Sequence, residues 1–393
     1  MENMELNELK IRLNSLAVFR DLLDDGVICA LRKYLRDYSA DNYAGFVTTL
    51  YKANGGYLSS YVKGLCLDSE NVYVRLVGAS GSVPEHIAQA TRQEIDTLQA
   101  LCDLTPEELG EALGYKGFLP GFVSEKTNLA AEFANRVNNI GKWGYGIYAK
   151  YRMFYLGADA QIVPVHSPDR TRLSALVDYE REQKIILDNT RALLSGKPAA
   201  NILLTGDAGT GKSSTVKAVV NELYTEGLRI VEVRKDQLCS IAGLLGELSE
   251  NPLKFILFID DLSFQKDDDN YSALKAVLEG SVSAKSQNVV IYATSNRRHI
   301  VKEKFSDREG DDVHRNDTMQ EMVSLSERFG IHVTFNRPDK QTYLDIVRHL
   351  ADEARIDMAQ DELDMLAEQY ALGRGGRSAR AAKQFVDGLL AKS

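Results

Sequence analysis

The stretch "GDAGTGKS", Gly206 to Ser213, follows directly on the apolar run "NILLT" and decides how the rest of the chain is read. It is a complete GxxxxGK[ST]. Its glycines let the backbone wrap so that successive N–H groups point inward at phosphate oxygens, and a helix beginning near Lys212 adds its positive end. In that arrangement Lys212 reaches the β- and γ-phosphates of a bound nucleotide, and the Ser213 hydroxyl ligates Mg²⁺. The expected nucleotide contacts are therefore Gly206, Asp207, Ala208, Gly209, Thr210, Gly211, Lys212, Ser213 and Ser214. A buried strand, a tight loop and a helix must occur here in that order.

Outward from the loop, the chain alternates between short apolar runs and helical periodicity. "RIVEVRK", "FILFIDD", "NVVIYAT" and "IHVTFNR" read as buried strands, with amphipathic segments between them. Such alternation implies an α/β fold in which a parallel sheet is covered on both faces. From Pro338 onward only helical spacing remains, with Tyr343, Ile346, Val347 and Leu350 on one face and a last helix after "GRGGR". The first 165 residues are read as mainly helical. Leu9, Leu13, Leu16 and Phe19 share one face of a helix that stops near Gly26, and Thr105 with Glu108 forms a capping-box pattern. The expected organisation is a helical domain over 1–165, a nucleotide-binding α/β domain over 170–337 and a helical lid over 338–393, with "VPVHSPD" as the linker between the first two.

About fifty residues after the loop, "FILFIDD" ends in two adjacent carboxylates. The first, Asp260, stands where a strand end would hold Mg²⁺ together with Ser213; the second, Asp261, would face an attacking water. At these positions the pattern resembles the AAA+ ATPases: phosphate loop, "FIDD", "ATSN", "SERFG" and "GGRSAR" follow in that order, and from about Leu173 to Ala391 the chain resembles an uncharacterised bacterial family of AAA+ ATP-binding proteins. The resemblance implies a P-loop NTPase sheet with a C-terminal lid, binding and hydrolysing Mg-ATP as a homo-oligomer. It also implies roles residue by residue. Asn296 is the first sensor, orienting water or γ-phosphate. Arg328 is the finger that completes a neighbouring protomer's site, where a cation stabilises developing charge. Arg377 is the second sensor on the lid, with Arg380, one turn later, as its competitor. "LVDYE", Leu176 to Glu180, lies where such proteins line the base.

Two departures from that pattern shape the expected activity. Where many members end the second motif in Asp-Glu, this chain has Asp260-Asp261, and a carboxylate one methylene shorter reaches about an ångström less far; slow turnover is expected. After the second strand, "KDQLCSIAGLLGEL" contains no aromatic residue of the kind that grips a threaded polypeptide. A loader or binding switch with little intrinsic hydrolysis is thus the alternative to a client-remodelling ATPase.

Bulk composition limits the partners. The 393 residues carry 47 Lys and Arg against 56 Asp and Glu, for a net charge of −9. Binding nucleic acid through charge alone needs the opposite balance, so a macromolecular client is expected to be protein rather than nucleic acid. One stretch stands apart, "GKWGYGIYAKYRMFYLG" (Gly141 to Gly157), which interleaves aromatics and cations. It can be a base-stacking surface, or a helix with Ile147, Tyr151 and Phe154 as its buried stripe. The charged run "EKFSDREGDDVHRND", Glu303 to Asp317, reads as a solvated loop or part of a protomer interface. No apolar run is long enough to span a membrane and the N-terminus is acidic and amphipathic, so a cytoplasmic location is expected. Cys29, Cys66, Cys102 and Cys239 form no CxxC pair, and the six histidines no HExxH, so any metal arrives with the substrate.

Overall fold

The computed structural model describes residues 5–262, 269–279, 287–296 and 326–391. The chain divides into two compact units, Met1–Lys150 and Tyr151–Ser393.

The first unit is helical throughout its described elements and has one apolar core, into which Leu9, Leu13, Leu16 and Phe19 are all inserted. The first helix is shorter than its periodicity suggests, Leu6–Asn14. The chain turns there because the buried carboxylate of Glu94, on the long helix Glu85–Asp103, accepts from the backbone N–H groups of Ala17, Val18 and Phe19 at 2.8 to 3.1 Å. A charge satisfied by main-chain donors can be buried at little cost, and it holds the turn open against helix propagation. Thr105 and Glu108 form the reciprocal capping box, opening the helix Pro106–Ala112.

The second unit is built on a mostly parallel seven-stranded sheet of order β2-β1-β4-β5-β6-β3-β7. Its strands are β1 (Met153–Leu156), β2 (Ile162–Pro164), β3 (Ile202–Gly206), β4 (Leu228–Glu232), β5 (Lys254–Ile259), β6 (Val289–Ser295) and β7 (Ile331–Phe335). Every pair is parallel except β1 with β2. The α/β class and the five expected strands are as read from the sequence; β5 and β6 are buried along almost their whole length, which is why they appear as continuous apolar runs. Helices Glu180–Leu194, Lys212–Leu223, Ile241–Ser249 and Asp269–Glu279 alternate with the strands.

Two expectations change in this region. Met153–Leu156 pairs in parallel with β4, so Tyr151 onward belongs with the sheet and the division falls at Lys150, earlier than 165. "VPVHSPD" likewise begins inside β2 instead of forming a free linker. The aromatic stretch is not one helix either. Ile140–Trp143 and Ile147–Lys150 are two separate short helices, Phe154 is buried in the sheet, and Tyr155, its neighbour in the strand, is exposed. Strand alternation sends successive rings to opposite faces, so β1 presents no continuous row of them.

Three further helices, Lys340–Glu353, Gln360–Gly373 and Ala379–Leu390, pack on one another around their own core, with Tyr343, Val347, Ala367 and Phe385 inside it. Asp339 caps the first, accepting from the Thr342 N–H at 2.8 Å, and Ser378 caps the last, accepting from Ala381 N–H at 3.1 Å.

Candidate nucleotide site

β3 lies between β6 and β7, while β4 and β5 lie on the far side of β6. The chain therefore leaves β3 toward one side of the sheet and returns to the other, and the carboxyl end of β3 is a topological switch point, the usual place for a ligand crevice in such sheets. Residues 206–211 make the turn from that strand end into the helix Lys212–Leu223. Gly206 has φ 137°, and a Cβ there would stand 2.0 Å from the Phe335 carbonyl oxygen. Gly209 and Gly211 also take positive φ, 80° and 94°. Only glycine reaches these conformations freely, and the first also admits β7 at close range.

Lys212 is nearly buried, at 5% exposure. Its Nζ donates to the carbonyls of Gly206 (2.9 Å) and Asp207 (2.7 Å) and to Asn296 Oδ1 (3.1 Å). Burial lowers its pKa from the ordinary lysine value, while the carboxylates of Asp260, Asp207 and Asp261 pull the other way. Asn296, just past β6, uses its amide nitrogen to reach Asp261 Oδ1 at 2.8 Å, so one side chain bridges lysine and acid. Asp260, just past β5, accepts from Ser213 Oγ at 2.7 Å and from Thr294 Oγ1 at 2.5 Å. Asp261 follows in the left-handed region, φ 55°.

These groups face a cavity of about 810 Å³. Ala208 through Ser214 line it, as do Asp260, Asp261 and Asn296; Gly206 and Asp207 are not on its wall. Asp207 instead forms an ion pair with Arg337 at 3.3 Å. An apolar portion is made by Leu176 and Val177, in the segment expected to line a base, together with Ile346, Leu350 and Ala354 of the lid. The lid residues fall at i, i+4 and i+8, a spacing legible in sequence as a helix face, though nothing in it says that the face meets a ligand cavity.

The two lid arginines part company. Arg377 is held by Glu368 through two hydrogen bonds, 2.8 and 2.7 Å, and does not line the cavity. Arg380 does line it, and its backbone N–H donates to the Gly209 carbonyl at 3.1 Å, joining the start of the lid helix to the glycine-rich loop. With Ser378 as cap, Arg380 falls on the face of the last helix turned to the loop, so of the two candidates for the second sensor it is Arg380 that lines the cavity. Arg328 is away from this chain's own cavity wall and forms an ion pair with Glu279 at the end of the helix Asp269–Glu279. The run Glu303 to Asp317 lies outside the described residues. Sequence reasoning missed Thr294, whose partners are set by the register of β5 against β6 and not by any local spacing.

Among the described residues no group of three or more His, Cys, Asp or Glu side chains could hold a metal ion, and no helix is long and apolar enough to cross a membrane.

Fold and site together define an α/β protein in which a glycine-rich loop joins a buried strand to a helix N-terminus beneath a helical lid. The chain belongs to the family described as "Protein of unknown function (DUF815)", whose model matches residues 149–393, a span that includes the whole of the second unit. No curated protein matches the chain. Among solved structures, part of the chain is similar to the Thermotoga maritima RuvB Holliday junction branch migration motor, with 17% identity, a TM-score of 0.39 and coverage of 55% of this chain. The match spans 63% of the length of that motor. It is also similar to a chain of the E. coli MS115-1 HORMA:CdnC:Trip13 complex, with 13% identity, a TM-score of 0.39, and coverage of 56% of this chain and 93% of that one.

Proposed function

We propose that this protein is a Mg²⁺-dependent ATPase of the AAA+ type that works as a homo-oligomer, turning over slowly, to remodel or load a macromolecular client that is protein and not nucleic acid. The observation that carries this is the convergence of Lys212, Ser213, Asp260, Asp261 and Asn296, from three separate strand ends, on one cavity with an apolar recess. Ser213 and Asp260 offer a hydroxyl and a carboxylate 2.7 Å apart. Such a sparse oxygen set suits Mg²⁺, which keeps several waters and takes its remaining ligands from substrate phosphates. When bound, the ion neutralises phosphate charge. Within the site, Lys212 pairs with the outer phosphates, Asp261 accepts the proton of the attacking water, Asn296 orients that water or the γ-phosphate, and Arg380 brings a lid cation to the phosphates. Arg328, which does not line its own chain's cavity, serves that of a neighbouring protomer.

A second function is favoured by a specific contact. The Asp261 carboxylate is already engaged by Asn296. A base so occupied suits a switch that holds ATP, binds a partner and hydrolyses rarely.

Both are tested by measuring ATP turnover per protomer, with Mg²⁺, over a hundredfold range of protein concentration. A rate that climbs with concentration and disappears in Arg328→Ala supports the oligomeric ATPase. ATP binding with negligible turnover at every concentration supports the switch. Absence of nucleotide binding sinks both.

A further inference from the structure

We propose that Thr294 is a positioning residue whose single hydroxyl orients the Asp260 carboxylate and fixes the backbone of Asp261, so that β6 sets the geometry of both acids at once. The inference rests on the nucleotide-site reading above and deepens it. Thr294 is 2% exposed, on the strand two residues before Asn296. A hydroxyl has one proton and two lone pairs. The Thr294 hydroxyl donates its proton to Asp260 Oδ1 at 2.5 Å. A lone pair is left for the Asp261 N–H, which donates to Thr294 Oγ1 at 2.9 Å. The next residue is tied to the same position: Leu262 N–H donates to the Thr294 carbonyl at 2.7 Å.

This arrangement bears on Asp261 in particular. Its φ of 55° is uphill for a residue with a Cβ, and such a conformation persists only where the surroundings hold it. Two groups of β6 and its end do so, the Thr294 hydroxyl at the backbone and the Asn296 amide at the carboxylate. Asp260 is restrained similarly, since Ser213 and Thr294 both donate to the same oxygen, Oδ1. Its other oxygen, Oδ2, then has a defined direction.

The test compares full-length wild type, Thr294→Val and Thr294→Ser. Valine keeps the branched shape and removes the hydroxyl; serine keeps the hydroxyl and removes the methyl. A fluorescent ATP analogue is titrated at increasing Mg²⁺, which reads binding without turnover, and exchange of the Asp261 amide hydrogen is followed in the same chains. Outer contacts to a metal-holding carboxylate are typically worth about tenfold or more in metal affinity. Thr294→Val should therefore need about ten times more Mg²⁺ for half-maximal binding, with faster exchange at Asp261, and Thr294→Ser should restore both. Where the valine chain does not fold, Thr294→Ala takes its place. Unchanged Mg²⁺ dependence in the hydroxyl-free chain, or a serine variant as impaired as it, overturns the proposal. A wild type that binds no nucleotide at any Mg²⁺ concentration instead brings down the site itself, and this inference with it.

Discussion

Arg377 and Arg380 stand three residues apart on the lid and face different partners. Arg380→Ala should weaken nucleotide binding by roughly tenfold, the scale of one lost charge-assisted contact, measured by titration with a fluorescent ATP analogue. Arg377→Ala should leave that affinity near wild type and act on the lid instead. Hydrogen bonds from Arg377 hold the Glu368 carboxyl below its ordinary value of 4.5. A depressed acid stabilises the fold above its unfolded pKa, and the contribution is lost as pH falls through the folded one. The difference in Tm between wild type and Arg377→Ala should accordingly be full at neutral pH and close as pH drops below 4.5. Asp261→Asn supplies a third case. Asparagine tolerates the left-handed backbone as aspartate does, so nucleotide should still bind, while removal of the base should cut turnover by about 10² or more. Loss of binding together with turnover would mean that Asp261 holds the site together instead of serving its chemistry.

Elements place these residues, and the strand–loop–helix at β3 places most of them. Its legibility came from a coincidence of signals: a buried apolar run, three glycines at turn positions, and a lysine at the helix start. Gly206 carries the steric burden. Gly206→Ala would set a Cβ 2.0 Å from the Phe335 carbonyl, with φ 137° besides. Moving β7 to relieve that contact breaks its pairing with β3, so a loss of about 3 kcal/mol or more is expected in urea unfolding. By contrast β1 and β2 were not legible. They have four and three residues, they lie at the sheet edge, and four residues of "MFYL" satisfy helix and strand periods alike. What makes β1 a strand is β4 beside it. The first helix failed in the opposite direction: its period runs on past Asn14, but Glu94, far along the chain, supplies acceptors that favour the turn.

For the whole molecule, the division at Lys150 is the most useful correction. Every residue lining the cavity lies beyond it. A fragment of residues 151–393 is expected to fold alone and to bind nucleotide within about twofold of the full chain, given a compact unit with its own core. A fragment beginning at 166 should be distinctly less stable, because removing β1 and β2 uncovers Ile230 and the free edge of β4. Thermal unfolding of both fragments tests this; equal Tm values would put the boundary back at 165.

By itself, the sequence determined the α/β class, five of the strands, the C-terminal helices and the strand–loop–helix around Gly206 to Ser213, because each of these is written in a local period or in glycines that only one conformation needs. Tertiary structure alone decided that Arg380 and not Arg377 faces the cavity, that Thr294 joins the two aspartates, and that the sheet begins at Met153. Each of those depends on which strand lies beside which and on the direction a helix face takes. Neighbours distant in sequence fix both, through hydrogen bonds and packing that no local spacing records.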